Sequence, residues 1–159
     1  MPDMLVNLYQ LPENMDFLQD LPEGVKIKRA MAPDTGRIMA WIEETFSVGW
    51  AHECQKALFN NPQSCFLAVK DKEIVGFACY DATALGYFGP LGVAPDCRKG
   101  GIGKALTLRC LHAMREKGYG YAIIGWVGPA AFYEKACGAR LIDESQASQT
   151  VYRNMIKVD

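Results

Sequence analysis

No apolar run in this sequence is long enough to cross a bilayer as a helix. The longest uncharged stretch, GYGYAIIGWVGPAAFY (Gly118–Tyr133), is cut by glycines and a proline, so it reads as a buried strand followed by a turn. Charge of one sign is lacking as well. Seventeen Lys and Arg stand against eighteen Asp and Glu, a formal net charge of -1, which leaves no general field for nucleic acid or an anionic membrane. Any cationic site has to be local. The N-terminus MPDMLVNLYQ has no basic segment leading into an apolar core, so no signal peptide is expected. The six cysteines (Cys54, Cys65, Cys79, Cys97, Cys110 and Cys137) show no C-x-x-C spacing. Most fall in apolar strand or helix patterns and read as reduced thiols of a cytoplasmic protein.

Several catalytic signatures are missing too. HECQK (His52–Lys56) begins like a zinc-binding H-E-x-x-H helix, but Lys56 takes the place of the second ligand. Cys110 and His112 are two apart on a helical pattern and point away from one another. No G-x-S-x-G occurs. Neither a metal nor a nucleophilic acyl-enzyme is expected.

What the sequence does have suits one domain, with 159 residues of which half are apolar. Residues 1–23, with three prolines, read as an N-terminal arm, and residues 24–159 as a single domain. VKIKRA (Val25–Ala30) alternates as a strand. RIMAWIEETF then places Ile38, Trp41, Ile42 and Phe46 on one helical face, and a second helix is expected from Trp50 to Phe59. SCFLAVK and EIVGFACYD flank Asp71-Lys72 as a hairpin. GYFGPLGV reads as a strand in which Pro90 cannot donate to a ladder and implies a bulge. Ile102, Leu106, Cys110 and Ala113 mark a helix of about four turns. YAIIGWV is a buried strand, PAAFYEKA a short helix, and ARLID with TVYRNMI the expected closing strand pair.

The stretch DCRKGGIGKAL (Asp96–Leu106) falls where strand gives way to helix. It fails as a P-loop, because Arg98 stands five positions before Gly103 and Ala105 follows Lys104. The dinucleotide fingerprint fails because Leu106 occupies its third glycine position. The remaining physics still favours an anion, since glycines let several N–H groups point one way and the helix adds its positive end.

The wider run VAPDCRKGGIGKAL (Val93–Leu106) resembles the acetyl-CoA motif of the GNAT superfamily of N-acetyltransferases. The family's phosphate loop, Q/R-x-x-G-x-G/A, is matched by Arg98, Gly101 and Gly103. The order of strand, loop, helix, strand and a short helix carrying FYEK is also similar, from about Val25 to Ile156. The resemblance implies an α/β fold with a mixed, mostly antiparallel central sheet flanked by helices and splayed between the fourth and fifth strands. It implies that backbone groups of Arg98, Lys99, Gly100, Gly101, Ile102, Gly103 and Lys104 hold the pyrophosphate of coenzyme A. Main-chain groups of Leu91 and Val93 would bond the pantetheine arm, the Val93 N–H would face the developing oxyanion, and Tyr133 would protonate the departing thiolate. Trp126 and Pro129 depart from the family's usual Asn and Ala.

The activity implied is acetyl transfer from acetyl-CoA to a primary amine of a small molecule, by direct attack in a ternary complex, with a homodimer as the assembly. A non-catalytic module that binds coenzyme A and a protein or peptide N-acetyltransferase are the alternatives. The sequence does not name the base that deprotonates the amine; Asp81, after FACY, is one candidate, with Tyr80 or Tyr87 to polarise a water and His52 on a substrate-side helix as the others. Glu43, Glu44 and Glu53, with Trp41, Trp50 and His52, are expected on the acceptor side, where carboxylates beside indoles attract a cation.

Overall fold

The computed structural model describes residues 1–145 and 149–157, and in them strand alternation decides which helix covers which face. The strands are β1 (Met4–Asn7), β2 (Val25–Arg29), β3 (Cys65–Lys70), β4 (Glu73–Tyr80), β5 (Tyr87–Val93), β6 (Tyr121–Ile124) and β7 (Arg140–Leu141). They form one sheet in the order β2-β3-β4-β5-β6-β1-β7. Every neighbouring pair is antiparallel except β5 and β6. In β3 and β4, Phe66, Ala68 and Ala78 point into one core, and Cys65, Leu67, Phe77 and Cys79 into the other. The helices α1 (Thr35–Thr45) and α2 (Val48–Phe59) cover the second face, while α3 (Ile102–Lys117) and α4 (Ala130–Cys137) cover the first.

Local signals place these elements. Asp71 and Lys72 both have positive φ (51° and 67°), the geometry that lets a two-residue turn match the twist of β3 and β4. Ser47 caps α2 by accepting the Trp50 N–H at 3.1 Å. Ile38 and Ile42, one turn apart on α1, are fully buried, and truncating either to alanine is expected to cost about 2–5 kcal/mol. On the sheet edge, Lys26 and Lys28 of β2 face solvent, which discourages pairing with another chain.

The N-terminal residues correct the expectation of an appended arm. β1 lies inside the sheet between β6 and β7, with Met4 opposite both Ile124 and Leu141. Met4, Val6 and Leu8 are fully buried, because the period of two in this short run suits a central strand. The residues that follow run over α3, where Phe17 stacks on His112 at 5.5 Å and Arg115 donates to the Leu8 and Leu11 carbonyls. The expected closing pair is also revised. Only Arg140–Leu141 pairs, with β1, and Val151–Asn154 forms a 3-10 turn, since β1 already holds the place beside β6. No helix among the described residues is long and apolar enough to cross a membrane.

The splay falls where the expected fold put it. Counted from β2, the fourth and fifth strands are β5 and β6. They pair only at Tyr87–Ile123 and Phe88–Ile124. Beyond that point β5 runs on to Val93 against β4, while β6 ends. The register shift opposite Ala78–Tyr80 gives β5 an extra residue between Phe88 and Leu91, the bulge that Pro90 implied.

Candidate active site

Divergence of β5 from β6 opens a cavity of about 1390 Å³ that reaches from the start of α3 to α2 and the C-terminal turn. Its β5 wall is Gly89–Val93, the segment whose outer edge no strand covers.

At one end lies the glycine-rich loop. Lys99 and Gly101 have left-handed φ (73° and 85°), and Gly101 is the residue before the first turn of α3, where the ladder begins with Ala105 N–H to the Gly101 carbonyl at 3.0 Å. The N–H groups of Ile102, Gly103 and Lys104 therefore have no partner within the helix. Together with Arg98, Lys99 and Gly101 these residues line the cavity. Gly100 does not; it faces the N-terminal segment, where an added Cβ would meet Pro22 at 2.9 Å. Arg98 folds back so that its Nε donates to the Val93 carbonyl at 3.1 Å. The donor set fits a diphosphate: several backbone N–H groups at a helix start, with Lys99 and Lys104 at the rim. Cys97 gains no thiolate character from its cationic neighbours, because burial and the adjacent Asp96 push its pKa up.

Midway, Tyr133 on α4 lines the cavity, nearly buried, with its ring edge-on to Phe88 at 6.1 Å and to Phe132 at 5.0 Å. Burial, with lesser contributions from Cys137 and Cys110, pushes its phenol pKa well up, so the group holds its proton at neutral pH and serves as a donor.

The other end is assembled from four segments. Trp50, His52 and Glu53 of α2 line it, as do Thr83, Trp126 and Tyr152. Thr83 Oγ1 donates to Glu53 Oε1 at 2.5 Å, and among the described residues no hydrogen bond to Oε2 is formed. Trp126 and Tyr152 stack at 4.0 Å with their planes 17° apart. Trp126 is held by its N–H donating to Asp3 Oδ1 at 3.0 Å, and a Cβ at Gly125 would collide with the Tyr152 hydroxyl. Burial, then the nearby Glu53 carboxylate, raises the Tyr152 pKa.

Four expected residues lie elsewhere. Glu43 and Glu44 are exposed on α1, and Trp41 of the same helix packs edge-on to Phe46 and Phe77; none of the three is part of the cavity wall. The Asp81 carboxylate, buried and also outside the wall, is taken up by three donors: Lys117 Nζ at 2.6 Å, the Gly86 N–H at 2.8 Å and the Tyr119 hydroxyl at 3.0 Å. It ties the loop before β5 to the end of α3. Sequence reasoning missed Thr83, Tyr152 and the stacking role of Trp126. Their positions depend on β1 displacing the C-terminal segment, which no local pattern announces.

The model of the acetyltransferase (GNAT) family matches residues 35–139. The fold is similar to a glucosamine N-acetyltransferase region of a fungal multi-domain β-N-acetylglucosaminidase, with TM-score 0.72 and 15% identity over 89% of this chain and 19% of that one. It is also similar to an N-acetyltransferase from Sphaerobacter thermophilus, with TM-score 0.68 and 22% identity over 89% of this chain and 48% of that one. A third similar structure, described as an acetyltransferase from Desulfovibrio desulfuricans, has TM-score 0.51 and 22% identity over 70% and 83% of the two chains. The chain thus spans about a fifth and about half of the first two structures. No curated protein matches it in sequence.

Proposed function

This chain belongs to the acetyltransferase (GNAT) family, and from that premise we propose that it transfers acetyl from acetyl-CoA to a primary amine of a small molecule. The observation that carries this reading is one continuous cleft with unpaired helix-start N–H groups at one end and the Glu53 carboxylate among indole and phenol rings at the other.

Acetyl-CoA supplies an activated thioester; this chain's residues supply position and proton transfer. The loop from Arg98 to Lys104, Gly100 apart, holds the diphosphate through its N–H groups, and the bare edge of β5 from Leu91 to Val93 bonds the pantetheine arm as an added strand would. Glu53, oriented by Thr83, takes a proton from the ammonium group, replacing Asp81 in that role. The amine nitrogen then forms its bond to the thioester carbonyl carbon while the Val93 N–H faces the carbonyl oxygen. As the carbon–sulfur bond breaks, Tyr133 gives its proton to the sulfur, and the extra proton left on the acylated nitrogen is released to solvent, from which the phenolate is reprotonated. Alignment of the two reactants in one cleft contributes much of the rate, and no acyl-enzyme is required.

Trp50, Trp126 and Tyr152 line the same cavity as the carboxylate, and aromatic rings together with a carboxylate suit a compact cation. The test is coenzyme A thiol release measured against a panel of small amines and short peptides, beside calorimetric titration with acetyl-CoA. Small amines are expected to stimulate release and peptides not to. Tight binding without release on any acceptor would support a non-catalytic module. Tyr133→Phe is expected to lower kcat about 100-fold with acetyl-CoA affinity unchanged; an unchanged rate and pH profile would remove the phenol from the scheme.

A further inference from the structure

Spacing along the chain hides a cluster that the fold assembles. Cys54 from α2, Cys65 from β3 and Cys79 from β4 are each fully buried, and their sulfurs all lie within 4.8 Å of one another. The Cys54 and Cys65 sulfurs are 3.7 Å apart. Sulfurs bound at ~2.3 Å to one ion are ~3.8 Å apart at tetrahedral angles and ~4.0 Å apart in a trigonal plane. The Cys54–Cys65 separation matches the tetrahedral value and the other two are no longer than 4.8 Å, so an ion fits if the sulfurs draw together by at most about an ångström.

We propose that Cys54, Cys65 and Cys79 form a three-sulfur site for one copper(I) ion. The donors are all soft, which selects thiophilic ions over magnesium, calcium or manganese. Among the described residues no fourth cysteine, histidine or carboxylate joins the group, whereas structural zinc sites close with four ligands. The surroundings, including Ala51, Ala57, Leu67 and Phe77, are apolar, which favours a soft, monovalent ion over a strongly hydrated one. Each sulfur that bonds the ion loses its proton to solvent, because the thiolate is the metal ligand; every copper–sulfur bond formed replaces one S–H bond, and copper stays monovalent.

The ion would pin α2 to the β3–β4 hairpin. Cys54 follows Glu53 directly, and Trp50 lies one turn earlier on the same helix, so occupancy would set the pose of the acceptor wall. The site itself does not depend on the acetyl-transfer reading.

The test is an anaerobic titration of the reduced, full chain against a chromophoric copper(I) chelator. Wild type is expected to withdraw one equivalent and to melt at a higher temperature with copper. Cys54→Ala and Cys79→Ala should each weaken binding at least tenfold, while Cys97→Ala and Cys110→Ala leave it unchanged. X-ray absorption of the copper-loaded wild type, expected to show three sulfur neighbours, keeps the question open to refutation if a core variant fails to fold. Copper left on the chelator, binding that depends on the part-exposed Cys97 or Cys137, or nitrogen and oxygen neighbours would each overturn the assignment.

Discussion

At the α3 end of the cleft the anion-facing groups come from one run, Arg98 to Lys104, whereas the α2 end draws Glu53, Thr83, Trp126 and Tyr152 from four segments spread over about a hundred residues. The first end is made of backbone N–H groups whose direction is set by local φ values and by the start of a helix. The second is made of side chains whose neighbours are set by strand order. A site of the first kind survives drift in its side chains. A site of the second kind changes specificity when any one segment shifts, and the departure of Trp126 from the family's usual residue falls there.

The strongest way to break this comparison is to alter the local end alone. Gly101→Glu puts a side chain at φ +85° and a carboxylate beside the diphosphate, a repulsion of roughly 4 kcal/mol at 4 Å and an effective dielectric near 20. Calorimetry should show acetyl-CoA affinity falling at least about 100-fold while circular dichroism remains that of a folded chain. Retained affinity would move the diphosphate off this loop. At the other end, Glu53→Gln should leave acetyl-CoA affinity intact and lower kcat/KM about 100-fold near neutral pH. That deficit should shrink as pH approaches the amine's own pKa, because the free amine then needs no base; a constant deficit would indicate a positioning role.

Legibility of the sequence follows the same division. The hairpin at Asp71-Lys72, the bulge at Pro90 and the glycines before α3 were readable because each is dictated by a few adjacent residues. Glu53 and Trp50 stood out as residue types, but only the packing of α2 separates them from Glu43, which lies on the exposed face of α1. Asp81 looked available because its partners Lys117 and Tyr119 lie far along the chain, at the end of α3 and just beyond it. β1 was missed because the prolines that follow it suggested an arm, and four residues carry little periodicity.

Two smaller effects sharpen the comparison. Tyr152→Ala removes the ring stacked on Trp126, an interaction of about 1.5 kcal/mol, so the amine KM should rise roughly tenfold with acetyl-CoA affinity unchanged. Should both constants move together, the two ends are coupled. Lys117→Met strips the buried Asp81 carboxylate of its cation without touching the cleft, so it should lower the melting temperature and leave KM alone. The Asp81 hydrogen bond raises the Lys117 pKa above its ordinary value. The ion pair's contribution is therefore full below the ordinary lysine pKa and fades as pH rises through the raised one. The gap between wild type and variant should accordingly be constant across neutral pH and close only in strong alkali.

Placement of β1 between β6 and β7 also has a kinetic side. Residues 4–7 are synthesised long before residues 121–124 and 140–141, with which they pair. During translation this apolar segment has no sheet to join, and closing so long a loop makes its docking a late event in folding. The N-terminal strand is therefore the last turn of the key that shuts the sheet.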